Sequence, residues 1–402
     1  MSLVRAAATV GSLTLASRVL GYVRDAMIAA VLGAGALADA FFVSFKLANM
    51  LRRLFAEGAF NAGFVPLFAR TLEGEGQTAA RRFAAEAFTV MCFILLGVVL
   101  LAEIAMPWLV RILATGFAPE SERYALAVEL SRITFPYLLF ISLAALVSGV
   151  LNSIERFAAA AFAPILLNIV LITALLLASL HPKTPAHALA WGVALAGIVQ
   201  LAMLMTVAAR AGYLIRPRWP VDHAKLNRLW RLVLPGAFGA GVYQINLVID
   251  TWFASHLPAG AVAYLFYADR LNQLPLGMIG VALGTAVLPL LSRQLRAGNL
   301  QAAHATQNRA LELALLLTLP ATAGLIVMAQ PIVELLFQRG AFDAAATRAT
   351  AGALMAFSIG LPAYVLIKMC IRDRPSSWAP GPARCPRSGC RSRRSLPAHP
   401  AS

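Results

Sequence analysis

The chain has 402 residues, of which 60% are hydrophobic and 13% charged, with a mean hydropathy of +0.74 and a net charge of +16. Soluble domains carry about 25% charged residues, so a soluble core could not hide this much apolar surface; the composition also excludes a disordered chain and, with four cysteines, a disulfide scaffold. The apolar runs are about twenty residues long and rich in Ala and Leu, without alternation, which excludes a β-barrel and predicts an all-α polytopic membrane protein.

Ten spans are predicted in chain order, over about 7–32, 39–68, 84–108, 126–152, 159–180, 186–208, 232–256, 261–291, 310–333 and 349–369. The first is interrupted by Arg18 and Arg24 and lacks a small-residue cleavage site, so it reads as a span and not as a cleaved signal. Spans longer than 25 residues must tilt, kink or extend beyond the hydrocarbon. Fourteen loop Lys and Arg flank the N-terminus and the even-numbered loops, whereas five (Arg111, Arg123, Lys183, Arg339 and Arg348) lie on the other side, which places the N-terminus in the cytoplasm. Residues 209–231 hold six of the fourteen. They read as a basic cytoplasmic linker between an N-terminal lobe (1–208, spans 1–6) and a second lobe (232–369, spans 7–10).

Eight cations fall inside spans: Arg18, Arg24, Lys46, Arg52, Arg53, Arg132, Arg270 and Lys368. Each costs about 2.5–3.5 kcal/mol at a helix centre. Lys368 and Arg132 lie where their long side chains can snorkel. In the first two spans, Arg18, Arg24, Lys46, Arg52 and Arg53 outnumber Asp25, Asp39 and Glu57 by two. Arg53 and Glu57 have the i,i+4 spacing of an ion pair. Internal salt bridges that only fix packing would leave that surplus unpaired, which favours a wet cavity that binds an anion. The excess of arginine over lysine suits phosphate-like oxygens. Arg18 and Arg24 are six residues apart, about 120° around a helix, and can converge on one broad face.

The segments DAMIAAVLGAGALADAFF (25–42) and DTWFASHLPAGAVAYLFY (250–267) align at an offset of 225. Asp25 matches Asp250, Ala34-Gly35-Ala36 matches Ala259-Gly260-Ala261, and Phe41 matches Phe266; FVPLFAR (64–70) also resembles VLPLLSR (287–293). Both copies begin on the same side of the membrane, so the repeat is parallel, as in transporters whose lobes rock about a central site. Arg270 would then face the cluster in spans 1 and 2.

The run SRVLGYVRDA (17–26) followed by GAGALADAFFVSFKLANMLRRLFAEGAFNAGFVP (33–66) closely resembles the start of the MurJ/MviN lipid II flippases, members of the multidrug/oligosaccharidyl-lipid/polysaccharide exporter superfamily. NLVID (246–250), AGAVAYLFYADRLNQLPLGMIGVALGTAVLPLLSR (259–293) and LPATAGLIVMAQPIVELLFQRGAF (319–342) resemble the second half of that family. The resemblance implies a two-lobe MurJ/MATE-like bundle of fourteen helices around a cavity, about ten of which are present here. It also implies a transporter rather than an enzyme, moving undecaprenyl-diphosphate-linked peptidoglycan precursor (lipid II) from the inner to the outer leaflet of the bacterial cytoplasmic membrane. By motif, Arg18, Arg24, Arg52 and Arg270 look like the cavity arginines that engage the diphosphate, and Asp39 in ADAFF like a functional carboxylate. Asp25, Arg53, Glu57 and Asp269 sit beside them as a second tier. No cofactor is implied. Coupling would be to the membrane potential or a monovalent cation, for which Asp250 is a candidate ligand, with helix packing as the alternative. The implied partners are lipid II, membrane lipids and the cell-wall synthesis machinery, with no nucleic acid.

The resemblance stops after Met369, where four further spans would be expected. Residues 370–402 are rich in Arg and Pro and read as an artefactual translation or a disordered tail. A related lipid-linked oligosaccharide flippase shares the diphosphate chemistry, and a cation-coupled drug antiporter shares the architecture but would want carboxylates in its cavity. A scaffold that binds anionic lipid through its loops gains nothing from arginines inside spans of both lobes.

Overall fold

The structure, a computed structural model, describes residues 3–52, 59–179, 185–219 and 223–372. Arg53, Glu57 and the tail beyond Arg372 lie outside the described residues. The described residues form helices and short connections, with no strand among them. In chain order the helices are α1 (Leu3–Leu32), α2 (Ala36–Arg52), α3 (Ala59–Leu113), α4 (Glu122–Thr134), α5 (Tyr137–Ser153), α6 (Phe157–Ser179), α7 (Pro185–Arg210), α8 (His223–Ser255), α9 (Ala261–Arg296), α10 (Leu300–Val327), α11 (Ala329–Phe337), α12 (Ala344–Ile359) and α13 (Leu361–Arg372).

Helix overlies each of the ten expected spans wherever they are described, and the differences have local causes. The end of span 2 and all of span 3 belong to α3, which is broken at Gly76 (φ 85°, ψ 176°), a conformation open to a residue without Cβ. Span 4 divides into α4 and α5 at Phe135-Pro136, where proline has no N–H to give the helix. Span 9 breaks at Met328, and span 10 bends by 45° between α12 and α13. Helix α8 begins at His223, which puts Lys225, Arg228 and Arg231 of the basic linker on a helix. By length and apolarity alone, five described helices qualify as membrane spans, or six if the bent pair is one. Helix α2, with 17 residues, is too short to qualify, and α1 carries Arg18, Arg24 and Asp25 in its second half.

Helix starts follow their sequence signals. Ser121 Oγ accepts from Tyr124 N–H (3.2 Å), Asn299 Oδ1 from Ala302 N–H (3.0 Å) and Asp343 Oδ1 from Ala346 N–H (2.8 Å), capping α4, α10 and α12.

The chain packs as two compact units. One comprises Met1–Asn272 with Gly324–Ser358, and the other Gln273–Ala323 with Ile359–Ser402. In the first unit α1 lies against α6, α6 and α5 against α7, α3 against α5 and α8, and α2 against α4. The second holds the later part of α9, most of α10, and α13.

The repeat is visible in the first unit. Helices α2 and α9 start at Ala36 and Ala261, at the offset of 225 that the sequence shows, and each follows a short turn from a preceding helix. The two copies pack against each other. Phe42 stacks on Phe266 with centroids 3.9 Å apart and meets Tyr267 edge-on at 5.4 Å. Tyr267 is fully buried and also packs on Phe337 (5.1 Å) and Phe342 (5.4 Å), which flank the α11–α12 turn.

Two glycines allow this close approach. Gly260 (φ 100°) lies so near Ala34 that a Cβ would come 2.6 Å from its carbonyl oxygen. Gly340 (φ 59°) lies against Ala30, whose carbonyl also accepts from Ala341 N–H (2.8 Å). Positive φ and backbone overlap together exclude a side chain. Gly340→Ala is expected to destabilise the protein by about 2 kcal/mol or more. Gly97→Ala, in open space within α3, should leave stability unchanged or raise it slightly. Thermal unfolding in one detergent checks both, and equal midpoints would contradict this account of the turn.

Candidate functional site

Arg24 and Asp25 are adjacent on α1, and both side chains are buried, with residue exposures of 6% and 3%. Arg24 donates from Nε (2.9 Å) and Nη2 (2.6 Å) to Asp25 Oδ1. Its Nη1 donates to Asn168 Oδ1 on α6 (2.9 Å). The other Asp25 oxygen, Oδ2, lies 3.3 Å from Arg270 Nε on α9. Arg270 also covers the Phe266 ring at 4.9 Å and keeps 35% of its side chain exposed. One carboxylate thus holds two guanidinium groups, one from each copy of the repeat. Arg24 and Asp25 form the buried pair, and Arg270 reaches the same carboxylate from a partly open position. Arginine offers planar pairs of N–H donors that match the oxygens of a phosphate or carboxylate.

Asp39 has a separate setting. It is fully buried near the start of α2. Oδ2 accepts from Gly260 N–H (2.8 Å), and Oδ1 from Ala263 N–H (3.0 Å). These are amides at the start of α9, so Asp39 caps that helix from a distant part of the chain and meets the positive end of its dipole. Arg123 at the start of α4 completes the shell, with Nη1 3.2 Å from Asp39 Oδ2. Nη2 of Arg123 donates to the Ser255 carbonyl (3.0 Å), and its guanidinium covers the Phe117 ring at 3.8 Å. Gly116 N–H donates to Ser255 Oγ (3.0 Å). The α1–α2, α3–α4 and α8–α9 turns are therefore tied together at one end of these helices.

The remaining predicted residues are dispersed. Arg18 lies on the exposed face of α1 with Leu15, Val19 and Val23, so the 120° offset from Arg24 separates the two environments. Arg52 is half-buried at the end of α2, where Nε donates to Asn49 Oδ1 (3.1 Å). Asp250 is exposed on α8, within electrostatic reach of Lys46 and Asp269. The described residues contain no group of three or more His, Cys, Asp or Glu that could hold a metal ion. Two site residues escaped the sequence reading. Asn168 is the lone polar residue in the run ILLNIVLI (165–172), a signal that was available. Arg123 was counted as a loop cation that sets topology, and nothing in its neighbourhood marks it as the partner of Asp39.

A sequence model described as "Lipid II flippase MurJ" matches residues 28–372. The "Probable lipid II flippase MurJ" of Rhizobium tropici is 47% identical over 372 residues, which cover 92% of this chain and 70% of that protein. The "Lipid II flippase MurJ" of Burkholderia cenocepacia is 37% identical over 373 residues, 92% and 72% of the two chains. Among solved structures, "Lipid II flippase MurJ, inward closed conformation" superposes with a TM-score of 0.77 at 27% identity, covering 90% of this chain and 74% of that one. An inward-facing multidrug resistance MATE family transporter of the MOP superfamily superposes with a TM-score of 0.72 at 15% identity, over 88% and 81% of the two chains, a likeness of fold. Nearly the whole described body is covered by these matches, and the chain belongs to the MurJ family of lipid II flippases.

Proposed function

We propose that this protein moves lipid II across the bacterial cytoplasmic membrane by alternating access, and that Arg24 and Arg270 engage the diphosphate. The observation that carries the reading is the shared carboxylate, with Arg24 bonded to one oxygen of Asp25 and Arg270 beside the other. Asp25 keeps two guanidinium groups close together in a lipid-embedded chain. A diphosphate brings more negative charge than one carboxylate and offers oxygens to both guanidinium groups, which compensates its own loss of water. An organic cation would meet two guanidinium groups there, which favours an anionic substrate over a cationic one. Arg18, exposed on α1, and Arg52, half-buried at the end of α2, would extend the cationic path.

In this reading the Asp39–Arg123 assembly is the latch of one entrance. By the charge asymmetry of the loops, with the N-terminus cytoplasmic, that entrance is periplasmic. Three donors converge on Asp39 only while the α8–α9 turn lies against α2 and α4. Opening would break charge-assisted bonds and let water replace them. A ligand shifts such an equilibrium only by its difference in affinity for the two states. The diphosphate supplies one by drawing on arginines from both copies of the repeat.

Two measurements test this. Arg24→Ala and Arg270→Ala should each weaken binding of lipid II to the nanodisc-embedded chain by about tenfold or more, as expected for loss of a charged hydrogen bond; unchanged affinity in both would overturn the diphosphate assignment. For the latch, a cysteine replaces buried Ser255 in a chain cleared of its other cysteines. Arg123→Ala and Asp39→Asn should each accelerate its labelling by a membrane-impermeant maleimide by about tenfold. Labelling at the parent rate would show that the pair does not hold the turn closed.

A further inference from the structure

Asn168 stands where the sequence supplies no reason for an amide. Its neighbours on α6 are Ile and Leu, and it is 4% exposed. An amide buried in apolar surroundings is costly unless its hydrogen bonds are made. Here both ends are used. Oδ1 accepts from Arg24 Nη1 (2.9 Å), and Nδ2 donates to the Ser17 carbonyl on α1 (2.9 Å). Reversing the amide would set donor against donor and acceptor against acceptor, so the Ser17 carbonyl fixes which end faces the arginine.

The consequence falls on Arg24. A guanidinium has five N–H groups. Asp25 takes the Nε–H and one Nη2–H, and Asn168 takes one Nη1–H. One N–H remains on each terminal nitrogen for an anion to accept. Asp25 alone would leave the group free to pivot about that ion pair; the bond to α6 fixes its plane against the helix on which α1 packs.

We propose that Asn168 is the positioning residue of the diphosphate site, holding the plane of Arg24 so that its remaining N–H groups are presented to the anion. The inference rests on the reading that Arg24 engages the diphosphate. Undecaprenyl diphosphate and the uncharged undecaprenol are the probes, and binding is measured by native mass spectrometry on the monodisperse fraction of the 402-residue chain. Asn168→Ala should weaken undecaprenyl diphosphate binding by about tenfold and leave undecaprenol binding unchanged. In an Arg24→Ala background it should have no further effect, because a residue that acts through another is not additive with it. Asn168→Asp keeps the size of the side chain but sets a second carboxylate on Arg24, and should weaken diphosphate binding at least as much. Wild-type affinity in Asn168→Ala, an equal loss in the Arg24→Ala background, or an equal loss for undecaprenol would overturn the proposal while leaving Arg24 in its role. Wild-type affinity in Arg24→Ala would overturn both.

Discussion

A charge buried where water is scarce must have a partner of opposite sign, and in this protein two carboxylates meet that demand for the groups around them. Asp25 holds Arg24 and stands beside Arg270, whereas Asp39 receives Arg123 and the first amides of α9. Each links the segment around α1 and α2 to the segment around α8 and α9. The two differ in charge balance. The Asp39–Arg123 pair is neutral and closed, with its donors supplied by the protein itself. The Asp25 group brings two arginines to one carboxylate, and one of them is partly open. In the proposed function the first is a contact that forms and breaks and the second the place where the anion binds.

The repeat explains why these carboxylates can reach across. Copies that fold alike and pack face to face bring equivalent turns together, so the start of α9 comes to lie beside the start of α2. Such proximity demands that the backbone come within van der Waals distance without intervening side chains. Gly260 meets the demand through both its missing Cβ and its positive φ. The aromatic stack of Phe42, Phe266 and Tyr267 fills the space beneath. Large rigid rings suit that position because they bury much surface with few rotamers to lose.

Helix position was largely legible in the sequence, because apolar runs and their polar interruptions follow from the thickness of a bilayer. The breaks were less so. Phe135-Pro136 carries its own signal, whereas the break at Gly76 depends on a backbone conformation that one glycine among several happens to adopt. The arginines were legible as a surplus of charge, but their partition was not. Arg18 and Arg24 lie on the same helix in the same motif, yet one is exposed and the other buried against α6. That outcome depends on which face of α1 packs, and α1 has almost no hydrophobic asymmetry from which to read it.

By itself the sequence determined that this is a basic helical membrane protein with an internal repeat, the family motifs of the lipid II flippases, and more cations than carboxylates in its first two spans. Those properties depend on composition and spacing along one chain. Only the tertiary structure decided that Asp25 serves two arginines, that Asp39 caps a helix some 220 residues away, and that Arg123 and Asn168 belong to these groups. Hydrogen bonds and ion pairs act over about 3 Å, and which residues come that close is set by helix packing, which local sequence does not encode.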